Sequence, residues 1–106
     1  MSDTIRKLIE SRVSARHYDM DRQLSDAQVR ELVRLATLAP SAYNFQNWKF
    51  IVCVDPGVKQ EVADTAYEQL DIAQAGALII VCAEMDKAER YYGTRGERLY
   101  AIQNCA

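Results

Sequence analysis

Two arginines and a serine alternate near the amino end of the chain, and together they could bind an anion. In an extended segment the side chains of Arg12, Ser14 and Arg16 would point to one side, because successive residues alternate between the two faces. The planar guanidinium group suits phosphate, since it donates two hydrogen bonds at once. Taken alone, such a segment is more often a solvated basic strand or turn that pairs with nearby carboxylates, and both interpretations stay open at this point.

The stretch 39–50 carries a second group of small and polar residues, between a helix pattern and a strand pattern. Trp48 and Phe50 open the apolar run that follows, and Trp48 is expected in the core rather than at a ligand. A compact junction rich in hydrogen-bonding groups beside a core is typical of a binding-site wall, and the sequence predicts one here.

The sequence lacks the patterns of the commoner catalytic and metal sites. His17 is the only histidine and no G-x-S-x-G segment is present, so a catalytic triad is not indicated. There is no glycine-rich dinucleotide motif and no P-loop. Cys53, Cys82 and Cys105 are widely spaced, which argues against a zinc site and against a disulfide framework. We therefore predict no catalytic side chain and no metal ligand.

Length and composition fit one domain over residues 1–106. Apolar residues make up 49% and charged residues 26% of the chain, as in ordinary globular proteins. The formal net charge of −2 argues against a nucleic-acid-binding protein. No signal peptide opens the chain, and the longest apolar run, 75–83, is too short to span a bilayer. Free thiols within apolar runs fit a reducing, cytoplasmic setting.

Hydrophobic periodicity predicts the elements that must position the two polar groups. The clearest helix covers 25–39, where Ser25 and Gln28 form a capping box and Pro40 ends the helix. The run 49–54 is apolar on nearly both faces and predicts a central strand. The last helical pattern stops while still apolar, so the domain is expected to be incomplete at its C-terminal end. The remaining predictions are a helix over 4–11, a helix over 58–70, a buried strand over 75–83, a mobile loop over 84–97 with a helical start over 85–90 as an alternative, and a helix from 98 onward.

Together the two polar groups resemble a known family. Arg12, Ser14 and Arg16 match an Arg-x-Ser-x-Arg/Lys element. The stretch 39–50 matches Ala-Pro-Ser-x-x-Asn-x-Gln-Pro-Trp-x-Phe, which follows it later in the chain, and the run 100–104 resembles the start of a long central helix. In this order the motifs make the chain similar to the N-terminal half of the nitroreductase-like, FMN-dependent oxidoreductases.

The resemblance implies an α+β fold, with an antiparallel or mixed sheet flanked by helices and apparently truncated in the central helix. Family members are typically homodimers that hold FMN at the subunit interface and reduce it with NADH or NADPH. They pass electrons on to nitro compounds, quinones or related small molecules in a ping-pong cycle. Since the flavin carries out this chemistry, an acid–base pair is not required of the protein. No nucleic-acid or membrane partner is expected.

The resemblance also implies roles for particular residues. Arg12 and Arg16 would contact the phosphate and ribityl chain of FMN, with Ser14 beside them. Ser41, Ala42 and Asn44 of the second motif would come from the partner subunit and line the isoalloxazine ring. Pro40 is implied as a further cofactor-binding residue. Gln46 is implied either as a further contact or as a residue that only holds the loop.

Two departures from the family pattern affect these expectations. Asn47 stands where the family usually has proline, which is expected to loosen the turn and to add a hydrogen-bond donor. Family members are also substantially longer, and their further part normally supplies another basic contact to the phosphate and much of the dimer interface. The alternative is therefore a non-catalytic, shortened nitroreductase fold that serves for dimerisation or flavin binding.

Overall fold

The computed structural model describes residues 2–67 and 69–106 of the chain. A 3-10 turn, Ala42–Asn44, precedes the first strand, and a π-helical turn, Gly96–Tyr100, joins the last two helices. The helices are α1 (Asp3–Ser11), α2 (Asp26–Ala36), α3 (Pro56–Thr65), α4 (Leu70–Gln74), α5 (Met85–Arg95) and α6 (Ala101–Cys105), and the strands are β1 (Trp48–Cys53) and β2 (Leu78–Ala83).

The two strands pair antiparallel along their whole length. Trp48 lies opposite Ala83, and Cys53 lies opposite Leu78. Within the described residues this sheet has two strands, so each strand has one free edge. The prediction that 49–54 is a central strand is therefore wrong for this chain, although the antiparallel, helix-flanked α+β architecture is confirmed. β1 carries apolar residues on both of its faces, but this chain does not cover both faces with packed structure.

Local signals fix the starts of the first helices. Ser2 caps α1 by accepting a hydrogen bond from the Ile5 N–H at 3.3 Å. The predicted capping box of Ser25 and Gln28 is confirmed, because each side chain bonds the backbone of the other residue. The helix ends earlier than predicted, at Ala36 rather than at residue 39.

Two predicted segments differ from the structure. The helix expected over 58–70 ends at Thr65, and Tyr67 then adopts a left-handed φ of 57°, which continues no right-handed helix. Residue 68 of that prediction lies outside the described residues. The loop expected over 84–97 is wrong, and the alternative of a helical start over 85–90 is confirmed: α5 runs on from Met85 to Arg95 with a kink at Gly93 (φ 59°, ψ −146°).

Packing is concentrated in the carboxyl-terminal half of the chain. The buried apolar residues are few and small: Val29, Cys53, Ala63, Ala88 and Ala101. Every described residue from 2 to 28 is exposed, including the apolar side chains of α1. The radius of gyration is 16.4 Å, whereas a compact domain of this size has about 13 Å. Across the described ranges, no helix is both long and apolar enough to cross a membrane.

Candidate functional site

The second polar motif folds into a tight turn immediately before β1, the Ser41–Gln46 turn. The Asn44 N–H donates to the Ser41 carbonyl at 3.0 Å, and the Phe45 N–H donates to the Ala42 carbonyl at 3.0 Å. The Ser41 hydroxyl oxygen accepts a hydrogen bond from the Gln46 N–H at 3.0 Å and closes the turn. Ser41 therefore has a structural role in addition to its predicted contact with a ligand.

The turn holds three non-glycine residues in the left-handed region of backbone conformation. The φ angles are 51° at Tyr43, 53° at Asn44 and 51° at Gln46. This conformation costs a non-glycine residue roughly 1–2 kcal/mol, and asparagine tolerates it best. Strained backbone of this kind persists only where surrounding contacts hold it, and it is concentrated at binding and active sites.

Two asparagines provide those contacts. Asn47 is the one fully buried large side chain among the described residues, with an exposure of 0%. Its Oδ1 accepts a hydrogen bond from Asn104 Nδ2 at 2.9 Å, while Asn104 Oδ1 accepts one from the Ala42 N–H at 2.9 Å. Asn47 Nδ2 donates to the Ala101 carbonyl at a longer 3.5 Å. We call these four groups the amide network; it ties the turn to α6.

Asn47 also ties the turn to the sheet. Its backbone carbonyl accepts a hydrogen bond from the Glu84 N–H at 2.7 Å, just past the end of β2. The expectation that Asn47 adds a donor is confirmed, but it does not loosen the turn, because side chain and backbone are both bonded to neighbouring elements. Sequence reasoning missed this role, and missed Asn104 as its partner.

Aromatic rings cover one side of the turn. The Phe45 ring meets Tyr91 edge-on at 5.2 Å and Tyr92 at 5.9 Å between centroids, and Tyr43 stacks tilted on Tyr92 at 5.7 Å. Burial, followed by proximity to Tyr43 and Tyr100, raises the pKa of the Tyr92 hydroxyl. The hydroxyl therefore stays neutral through the physiological range. We call these rings the aromatic cluster: Tyr43, Phe45, Tyr91, Tyr92 and Tyr100.

The first polar motif has a different environment. Arg12, Ser14 and Arg16 lie on an exposed segment without helix or strand hydrogen bonds. Arg12 Nη1 donates to the Ser14 hydroxyl at 3.4 Å, which places one guanidinium beside the hydroxyl. In the described part of the chain neither arginine forms a salt bridge. The carboxylate-paired alternative is thus not observed, and the segment is solvated with both charges available.

The structure assembles each predicted group separately. Among residues 2–67 and 69–106, no hydrogen bond or salt bridge joins the Arg12–Arg16 segment to the Ser41–Gln46 turn. Pro40 and the side chains of Asn44 and Gln46 are exposed, whereas Ser41 and Ala42 are half-buried. Within one copy, the two groups are therefore not joined by a direct polar contact in the described residues.

A groove lies away from both polar groups. It has a volume of about 780 Å³ and opens between α2 and β1 over an apolar floor that includes Val33, Phe50 and Val52, and Arg30 and Glu31 stand at its rim. None of the predicted site residues lines this groove. The described residues also contain no cluster of histidine, cysteine, aspartate or glutamate that could hold a metal ion.

Comparison with known proteins identifies a family. The profile of the nitroreductase family matches residues 9–103. YodC of Bacillus subtilis, provisionally named as an NAD(P)H nitroreductase, is 33% identical over 101 residues, which cover 95% of this chain and 47% of YodC. The oxygen-insensitive NADPH nitroreductase of Helicobacter pylori strain 26695 is 34% identical over 80 residues, covering 74% of this chain and 38% of that protein.

Solved structures agree with the sequence matches. NfrA2 of B. megaterium superimposes with a TM-score of 0.81 and 25% identity, over 99% of this chain and 46% of NfrA2. A protein from Exiguobacterium sibiricum, provisionally described as a nitroreductase and solved in complex with FMN, gives a TM-score of 0.67 at 26% identity, over 98% of this chain and 52% of its own. The chain spans about half the length of the relatives that it matches.

Proposed function

The chain belongs to the nitroreductase family, and from that premise we propose that it acts in FMN-dependent reduction of nitro compounds, quinones or related small molecules, with NAD(P)H as electron donor. The observation that carries the proposal is the Ser41–Gln46 turn, held in a strained conformation by the Ser41 hydroxyl and by the amide network. One relative binds FMN, and another is named for NADPH-dependent activity.

The residues of the first motif fit the phosphate end of FMN. A phosphate monoester carries close to two negative charges at neutral pH, and the guanidinium groups of Arg12 and Arg16 would nearly balance them. Both groups are exposed and form no salt bridge in the described part of the chain, so no existing ion pair must be broken. The Ser14 hydroxyl lies beside Arg12 and supplies a further donor.

The Ser41–Gln46 turn fits the ring end. Pro40 and Ala42 offer small surfaces on which a flat ring can lie, and the Asn44 and Gln46 amides are exposed and able to bond a ring edge. Because the turn is already formed in the free chain, binding would not incur the cost of ordering it.

We propose that two copies of the chain complete the site. A homodimer would bring the arginine segment of one copy to the Ser41–Gln46 turn of the other, which no hydrogen bond or salt bridge joins within one copy among the described residues. When bound, FMN would supply the electron transfer between NAD(P)H and the acceptor. The chain's own residues would bind the phosphate, orient the ring and shield one of its faces. The free thiols Cys53, Cys82 and Cys105 suit a cytoplasmic setting.

The test is FMN retention by the variant Arg16→Ala. Loss of one charge-assisted contact costs roughly 1.5–3 kcal/mol, so we expect about a tenfold to hundredfold weaker affinity, measured by flavin absorbance and by titration after desalting. Arg30→Ala is the matched control, because Arg30 is an exposed arginine on α2 outside both motifs. Equal FMN affinity of Arg16→Ala and wild type would overturn the assignment of the phosphate site.

A second candidate function is a non-catalytic module for flavin binding or dimerisation. It is favoured by the uncovered apolar residues of α1, which a second copy could cover. The two candidates separate in one assay on the FMN-loaded protein. NAD(P)H bleaches bound flavin in an oxidoreductase, whereas a module retains yellow flavin in the presence of the donor.

A further inference from the structure

We propose that Asn104 is a positioning residue that holds the Ser41–Gln46 turn in its binding conformation from a distance in sequence. The inference rests on the proposed function for its consequence in FMN binding, and on the structure of the free chain for its mechanism. Asn104 contacts no predicted cofactor-binding side chain; it acts through the Ala42 N–H and through Asn47.

The orientation of both side-chain amides is fixed by a single backbone group. The Ala42 N–H can only donate, so the atom of Asn104 that faces it at 2.9 Å must be the carbonyl oxygen. The amino group of Asn104 then points to Asn47, whose carbonyl oxygen must face it. This leaves the Asn47 amino group directed to the Ala101 carbonyl. Each side chain serves as donor and acceptor, and no buried side-chain polar atom of the described residues is left without a partner.

The network acts where the turn most needs support. Ala42 directly precedes Tyr43 and Asn44, which adopt left-handed conformations, and Asn47 directly follows Gln46, which adopts a third. Asn104 bonds both ends of this strained segment, so it opposes relaxation of the turn toward ordinary backbone angles. The Ser41 hydroxyl bonds the Gln46 N–H within the turn. In the described residues, Asn104 is the only side chain that bonds the backbone of Ala42.

Burial makes these bonds strong and selective. Asn47 is inaccessible to solvent and Asn104 is half-buried, so water cannot readily replace a lost partner. An unsatisfied buried polar group costs roughly 1–3 kcal/mol, comparable to the strain of one left-handed residue. Removing the Asn104 amide should therefore release the turn while leaving the β1–β2 sheet intact.

The experiment compares three variants of the full chain: Asn104→Ala, Asn104→Asp and the control Gln103→Ala. Gln103 lies one residue earlier on α6 and is exposed. The first readout is hydrogen exchange of individual backbone amides in flavin-free protein, which reports the Ala42 N–H directly. The second is the FMN dissociation rate, measured after the protein is loaded with FMN.

We expect Asn104→Ala to lose protection at Ala42 by about tenfold or more, with the β1 and β2 amides unchanged. Asn104→Asp keeps an oxygen for the Ala42 N–H, while it removes the donor to Asn47 Oδ1. This variant should retain Ala42 protection, as should Gln103→Ala. FMN should dissociate about tenfold faster from Asn104→Ala, in proportion to a loss of about 1.4 kcal/mol, and within about twofold of wild type from the other two.

Unchanged Ala42 protection in Asn104→Ala overturns the inference. If Asn104→Ala unfolds, the Asn104→Asp variant decides the question. Loss of protection at Ala42, with the other amides still protected, would overturn the inference, whereas retained protection at Ala42 would support it. If Asn104→Ala loses Ala42 protection but releases FMN at the wild-type rate, then Asn104 holds the turn without affecting FMN binding. That outcome rejects the positioning role. Wild-type protein that binds no FMN, while Ala42 still depends on Asn104, would refute the proposed function and not the network.

Discussion

The two halves of the proposed binding site differ in how much of their structure this chain provides. The Ser41–Gln46 turn is bonded to α6 by Asn104 and to the end of β2 by Asn47. The amino-terminal arm, residues 2–24, holds Arg12 and Arg16 and is exposed along its whole length. Contacts within this chain thus hold the turn, whereas the arm stays exposed to solvent.

This contrast follows from where the polar side chains find partners. At the turn, asparagine amides bond backbone groups inside the molecule. Burying these polar groups is tolerated because each buried side-chain polar atom of the described residues has a hydrogen-bond partner. In the arm, guanidinium groups remain in water and Leu8 of α1 is 66% exposed. Under the proposed function, contacts within one copy shape the turn at the ring end, whereas the arginines at the phosphate end stay exposed in one copy.

The largest expected effect tests whether the carboxyl-terminal half is tightly packed. Gly96 is buried in the π-helical turn, and a Cβ there would overlap the Ala88 carbonyl oxygen and stand 2.6 Å from the Tyr92 Cβ. Because backbone must move to admit the methyl group, Gly96→Ala should lower the free energy of unfolding by about 3 kcal/mol, measured by urea denaturation.

Gly57→Ala is the matched control for that substitution. A Cβ at Gly57 would meet the Asp55 Oδ1, the end of a flexible side chain, at 3.1 Å, and alanine is the better helix former. We expect a change within about 1 kcal/mol. Equal stability of Gly96→Ala and wild type would show that α5 and the π-helical turn are not closely packed, and the contrast with the arm would fail.

A smaller effect is expected from the aromatic cluster. Tyr92 contacts Tyr43, Phe45 and Tyr100, whereas Tyr91 contacts one ring of the cluster and is largely exposed. Aromatic pairs contribute roughly 0.5–1.5 kcal/mol each, so Tyr92→Ala should cost about 2 kcal/mol and Tyr91→Ala about 1 kcal/mol or less. Equal losses from the two substitutions in thermal or urea denaturation would contradict this assignment.

The raised pKa of Tyr92 adds a pH dependence to the same cluster. Burial disfavours the ionised hydroxyl in the folded state, so its contribution to stability is fully present below the ordinary tyrosine pKa and is lost as pH rises through the higher folded value. Tyr92→Phe should therefore lose less stability than wild type between neutral and strongly alkaline pH. Parallel alkaline losses in both proteins would place the titrating group elsewhere.

Some of this structure could be predicted from the sequence because the interacting residues are close in the chain. The capping box of Ser25 and Gln28 spans three residues, and the polar turn before β1 is marked by Pro40 and Ser41. The two polar motifs, in their order along the chain, predicted the nitroreductase family, and this prediction is confirmed.

Other features could not be predicted, because they depend on residues far apart in the sequence or on backbone conformations that no local sequence pattern indicates. Asn47 and Asn104 are separated by 57 residues, and no local pattern pairs them. Gly93 and Gly96 suggested a loop, yet Gly96 permits close helix packing against Ala88 and only Gly93 marks a kink. The helix ends near Tyr67, where no glycine or proline indicates the break in the sequence. The binding roles of Arg12, Arg16 and the turn remain predictions that the variants above test.

The smallest expected effect tests the open arm itself. Leu8 is 66% exposed, so Leu8→Lys should change the free energy of unfolding by less than about 0.5 kcal/mol at low protein concentration. Val29→Lys is the control, because Val29 is 6% exposed and a charge there should be strongly destabilising. Comparable losses from both would mean that α1 packs on this chain's own core. If a second copy covers the arm, wild-type stability will rise with protein concentration and Leu8→Lys will abolish that rise, because an ammonium group would then be buried at the interface.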